Sequence, residues 1–155
     1  MASIFASGTG CAARISALAA CLALLPANAP PSATGELDVK VEGLRSAKSM
    51  IRACLTRESR FFPHCEKDPN SLKLSVAAGT APVLHFVNLA PGDYALTVLH
   101  DENSNFRADM MLGIPREGVG FSRNPRLVMS APSFNAVRFS VAGTQSMVVQ
   151  LKYFL

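Results

Sequence analysis

The chain has 155 residues, of which 49% are hydrophobic and 17% charged, with 10 glycines, 10 prolines and no tryptophan. These proportions exclude a disordered polyampholyte, a collagen-like repeat and a coiled coil. The formal charge is +4, but the basic residues are scattered and aromatics make up only 7%, so there is neither the basic stripe nor the motif that nucleic-acid binding requires.

Taken in chain order, the first feature is an export signal. Arg14 is followed by an apolar run from Ile15 to Leu25, then Pro26 and Ala27-Asn28-Ala29. A charge, an apolar core and an A-x-A site are the three parts of a secretory signal peptide. The spacing predicts a signal over 1–33, cut near 29–33, and a mature domain over 34–155. Losing Arg14 leaves 14 basic residues against 11 acidic, a net charge of +3. The apolar run is shorter than the roughly 20 residues a permanent span needs, so no transmembrane segment is expected in the mature protein. Leu18-Ala19-Ala20-Cys21 has the form of a lipobox. The apolar core before Cys21 is too short for one, and the run continues past it, so lipoprotein anchoring is not expected. Localisation is therefore expected to be periplasmic or secreted.

Cys11 and Cys21 leave with the signal, and Cys54 and Cys65 remain. In an oxidising compartment that pair is read as a disulfide. Zinc is the alternative, with His64 as a further ligand, but no second Cys or His pair stands at zinc spacing.

The mature chain reads as strands. Leu37, Val39 and Val41 alternate with polar residues, and Gly43 ends the run. Met50 to Leu55 is a second strand, and Leu72, Leu74 and Val76 mark a third. Val83 to Val87 is a fourth, and Tyr94, Leu96 and Val98 a fifth. Val137, Phe139 and Val141 mark a sixth, and Met147, Val149, Leu151 and Tyr153 a seventh. Seven short alternating strands predict a single-domain, all-β, antiparallel sandwich of immunoglobulin-like or transthyretin-like type.

One connection lacks this periodicity. A loop over 100–133 is expected, and loops of such length in compact domains are usually functional. It contains His100-Asp101-Glu102-Asn103, Asn105, Asp109, Leu112-Gly113-Ile114-Pro115, Glu117-Gly118 and Gly120-Phe121-Ser122. With the lead-in Leu89 to Tyr94 and with Ala131-Pro132-Ser133-Phe134, this string resembles the domain of unknown function 2141 family of exported bacterial proteins. The resemblance covers nearly the whole mature chain. It implies a secreted β-sandwich-like domain and no particular activity. Phe106 stands where that pattern has a glycine.

The loop offers oxygen ligands. Asp101, Asn103, Asn105 and Asp109 occupy positions 1, 3, 5 and 9 of a calcium loop, with the Arg107 carbonyl at position 7. Position 12 is Leu112 rather than Glu, so Glu102 or Glu117 would have to complete the shell. The plainer reading is that Asp and Asn side chains cap their own turns. His100 continues the inward phase of its strand; it is read either as a hydrogen-bonded structural histidine or as half of a dyad with Asp109 or Glu117. Asp101, its neighbour, points to the opposite face. Phe121 is expected to anchor the loop by burying its ring beside Ser122, and the glycines from Gly113 to Gly120 to fix turns.

Three functional classes follow. The first is a non-catalytic binding or structural module of the cell envelope, with an envelope protein or a glycan as partner and the long loop as its surface. The second is a recognition module stabilised by Ca²⁺. The third is a hydrolytic enzyme using His100 and the loop carboxylates.

Overall fold

The computed structural model describes residues 34–128 and 130–155. The expected export signal, with Cys11 and Cys21, lies outside the described residues. Two sheets face each other. The smaller has the order β10-β1-β4, built from β1 (Gly35–Glu42), β4 (Val83–Leu89) and β10 (Thr144–Gln150). The larger has the order β3-β2-β5-β8, built from β2 (Met50–Thr56), β3 (Leu72–Ala77), β5 (Gly92–Asp101) and β8 (Gly118–Phe121). A short strand, β9 (Phe139–Val141), pairs with the start of β5. All pairings are antiparallel except β1 with β10, which run parallel.

Period-2 alternation builds the core directly. Leu37, Val39 and Val41 of β1 point inward and are at most 1% exposed, as are Ile51 and Leu55 of β2 and Leu96 and Val98 of β5. Residues from both sheets form one buried cluster with Leu84, Phe86 and Val149. In β4 the left-handed Asn88 (φ 58°) sits where the β1 register slips. The alternation changes phase there, so Leu89 enters the core.

The larger sheet is covered on its other face as well. Ala95, Phe121 and Val137 form a second buried cluster, with Phe62 and Phe134 against it. The Phe62 ring meets those of Phe121 and Phe134 edge-on, at centroid distances of 5.7 and 6.1 Å. Cys54 points to this outer side and is bonded to Cys65, with a Cα–Cα distance of 5.9 Å.

Three expectations about the bounds of elements are corrected. Val137 does not begin a strand, because a single helical turn, α1 (Phe134–Val137), precedes β9. The Ser133 hydroxyl accepts from the Ala136 N–H as the N-cap of that turn. The last strand ends at Gln150 rather than running to Tyr153, because the chain crosses to the other sheet. There Lys152 and Val119 exchange backbone hydrogen bonds at 2.8 and 3.0 Å. Finally, the stretch 100–133 is not one loop. It holds a hairpin, β6 (Met110–Met111) and β7 (Ile114–Pro115), and then β8.

The glycines of that stretch divide by role. Leu112 (φ 51°) and Gly113 (φ 80°) form the two-residue turn of the β6–β7 hairpin, whose twist matches two left-handed positions. Gly118 and Gly120 make no turn, contrary to expectation. They lie in β8, facing inward, where a Cβ would stand 2.4 Å from the Tyr153 ring and 2.6 Å from Val149 Cγ1. The crossing chain leaves room only for backbone.

Candidate functional site

Asp101 ends β5 on the face opposite His100, and its side chain is completely buried. One carboxylate oxygen accepts from the Asn105 N–H at 3.0 Å. The other accepts from the Phe106 N–H at 3.0 Å and from Arg52 Nε of β2. Asn103 Oδ1 accepts from the Asn105 N–H, and Asn105 Oδ1 from the Arg107 N–H, each at 3.0 Å. The two amide groups, Asn103 Nδ2 and Asn105 Nδ2, donate to Asp109 at 2.6 and 2.8 Å. Glu117 closes the loop at its base. Its oxygens accept from the Glu102 N–H at 3.0 Å and the Asp109 N–H at 3.3 Å. Arg45 grips the outside, donating to the Glu102 carboxylate and to the carbonyls of Arg116 and Leu155. The structure thus brings Asp101, Asn103, Asn105 and Asp109 into one network, in which their oxygens face N–H donors. Among the described residues, no group of three or more His, Cys, Asp or Glu side chains is placed to hold a metal ion.

Phe106 adopts the left-handed conformation, φ 69°, that its place in the pattern gives to glycine. For a residue with a Cβ this costs about 1–2 kcal/mol. The Asp101 hydrogen bond and the Arg52 guanidinium, 3.6 Å from the ring centroid, hold it there.

His100 is also fully buried. Its Nε2 donates to the Lys48 carbonyl at 3.0 Å, and its Nδ1 accepts from the Tyr153 hydroxyl at 2.7 Å. Both ring nitrogens are therefore occupied. The structure does not bring His100 within hydrogen-bond distance of Asp109 or Glu117.

The carboxylates are unequal in their proton affinity. Burial raises Asp101, but Arg52 and the N–H groups of Phe106 and Asn105 outweigh it and hold the carboxyl below its ordinary range. Arg45 lowers Glu102, and the Thr56 hydroxyl lowers Asp68. Burial raises Glu117, against the pull of its two backbone donors. A lowered group contributes stability above its unfolded pKa that is lost as pH falls through the folded one. A raised carboxyl acts in the opposite sense: its penalty is present at neutral pH and is relieved as pH falls toward the ordinary value. With Glu42, which Lys40 also lowers, four lowered carboxyls against one raised predict a net loss below about pH 4. Melting temperature measured from pH 7 to pH 3 should fall at the acid end, and Asp101→Asn should flatten that fall. A melting temperature independent of pH across this range would contradict the ion-pair geometry.

The Asx network supports one wall of a cleft of about 800 Å³ on the outer face of the larger sheet. Its lining includes Arg52, Cys54, Thr97, Leu99 and Val119 from the strands. Phe106, Ala108, Met110 and Ile114 line it from the loop and hairpin, Pro63 and Cys65 from the disulfide turn, and Leu127 and Val128 from the segment after β8. Of the residues expected to matter in the loop, Phe121 also lines this space, and it is 6% exposed. The Ser122 hydroxyl beside it is buried, accepting from the Leu96 N–H and donating to the Val137 carbonyl. Sequence reasoning missed the strand residues of the cleft. A signal existed in β5, where Ala95 and Leu99 are apolar at positions that strict alternation leaves wet.

No curated protein and no solved structure matches the chain. The family model described as "Uncharacterized protein conserved in bacteria (DUF2141)" matches residues 39–149, from the first core strand to the last, and the chain belongs to that family.

Proposed function

We propose that the protein is an exported, non-catalytic binding module of the cell envelope, and that the cleft is its ligand site. The single observation that carries this reading is the cleft itself. It is concave, largely apolar and walled by three separate segments, and its volume of about 800 Å³ lies within the range of sites that enclose one small ligand. The Asx network is then a scaffold, since its oxygens already accept N–H groups of the loop. Export is supported by the apolar run at Ile15 to Leu25 and by the Cys54–Cys65 bond, which suits an oxidising compartment. No described helix is long and apolar enough to cross a membrane.

The test is fluorescence titration of the mature, oxidised protein with N-phenyl-1-naphthylamine, a neutral apolar probe. Saturable binding is expected, and Ala108→Trp, which fills the mouth from an exposed position, should abolish it. Melting temperature should be the same in millimolar Ca²⁺ and in EDTA. A Ca²⁺-dependent rise that disappears in Asp101→Ala and Asp109→Ala would make the loop an ion site instead. Absence of saturable probe binding would remove the cleft as a ligand site.

A further inference from the structure

We infer that the cleft takes an amphiphile with one apolar chain and an anionic head, for which a long-chain carboxylate is the simplest representative. The inference rests on the reading of the cleft as a ligand site and names the class of ligand. Three observations carry it.

The first is the lining. Leu99, Val119, Phe121, Ile114 and Leu127 surround the space, and such side chains reward an apolar body rather than a sugar. A glycan would need a dense set of polar partners.

The second is charge. Arg52, Lys73 and Arg107 all line the cleft. Arg52 is neutralised by Asp101. Among the described residues, neither Lys73 nor Arg107 is in an ion pair. The acid in the lining, Glu66, lies beside His64, and its backbone carbonyl accepts from Lys73 Nζ at 3.0 Å. With Arg52 met by Asp101, the two cations Lys73 and Arg107 stand against the single carboxylate Glu66, so the lining is net positive and favours an anion.

The third is an orphaned polar atom. The hydroxyl of Thr97 is buried without a hydrogen-bond partner, and no other buried side-chain polar atom among the described residues lacks one. Thr97 is in the lining, paired across the sheet with Cys54 and Phe121. Buried polar groups are almost always satisfied, and this hydroxyl lies closed off beneath the cleft floor, so a ligand oxygen would reach it only where the lining side chains part.

The rim fits an entry route for such a ligand. Met110 and Val128 line the cleft, and with Leu112 at the adjoining hairpin tip they are 55%, 66% and 97% exposed. Apolar groups held in water at the mouth favour transfer of a chain from an aggregate or membrane into the cleft.

The test is calorimetric titration with decanoate, dodecanoate and decyltrimethylammonium, each below its micellar concentration. Binding should be 1:1 and saturable. Affinity should rise about fourfold per added methylene. The cationic analogue should bind at least tenfold more weakly than decanoate, and the double variant Lys73→Gln/Arg107→Gln should erase that preference. Ala108→Trp should abolish binding, with Val128→Trp as a second blocking variant if the first melts early. If the neutral naphthylamine probe binds and is blocked by these variants while the carboxylates do not bind, the cleft remains a ligand site and the anionic amphiphile is overturned. If neither binds, both readings fall. Carboxylate binding that both blocking variants leave intact, or association only with anionic vesicles, would place the interaction on the exposed rim and overturn the proposal.

Discussion

Asp101→Ala should destabilise the folded protein by about 3 kcal/mol, the lower end of what breaking a buried ion pair costs. The carboxylate is fully buried, and three donors converge on it: Arg52 Nε and the N–H groups of Asn105 and Phe106. Truncation leaves those N–H groups without their acceptor and a mostly buried guanidinium, 16% exposed, without its counter-charge. It also releases the left-handed turn at Phe106, whose strain the hydrogen bond offsets. A urea titration should show the loss as a lower midpoint with little change in slope. Asp109→Ala provides the comparison. Asp109 is only partly buried, and its side chain accepts from the two Asn amides at the surface, so its loss should cost about 1 kcal/mol or less. Equal effects from the two substitutions would contradict the assignment of Asp101 as the anchor. Naphthylamine binding should weaken in Asp101→Ala, because Phe106 forms part of the cleft wall.

The period-2 strands were most legible where one face is buried and the opposite face charged or polar, as Leu37-Asp38-Val39-Lys40-Val41 of β1 shows. Burial of His100 followed from its phase in β5, and the opposite orientation of Asp101 from its odd position. The hairpin at Met110–Pro115 carried no such signal. Its strands have two residues each, and Leu112 occupies a left-handed position where Asn, Asp or Gly is the usual marker. β8 was hidden for a different reason. Its inward residues are Gly118 and Gly120, so the alternation that marks a strand is written in the absence of side chains. That absence answers to the C-terminal segment crossing above it, a contact between residues about thirty positions apart. The cleft was illegible on the same ground. Its walls come from the disulfide turn, the Asx loop and the segment after β8, and only the sheet between them brings these together.

Removing the disulfide should cost about 3 kcal/mol, the chain-entropy value for closing a short loop. Cys54 and Cys65 are 11 residues apart, and Cys65 is 1% exposed in the 3-10 turn 65–67. The bond joins the outer face of β2 to the segment that carries Pro63 and His64 along the cleft. A second tether lies beyond it. The Asp68 carboxylate accepts from the Thr56 hydroxyl and from the Asn70 N–H at 2.9 Å, both independent of the sulfurs. The double variant Cys54→Ala/Cys65→Ala should therefore remain folded at 25 °C but unfold at a lower urea midpoint. Adding dithiothreitol to the native protein should reproduce most of that shift and leave the double variant unchanged. With Pro63 and Cys65 less firmly held, naphthylamine affinity should drop severalfold, since an unordered wall must be ordered on binding. A stability loss under about 1 kcal/mol would mean that the Asp68 tether alone fixes the turn. Unchanged probe affinity in a clearly destabilised variant would separate the disulfide from the cleft and assign it to stability alone.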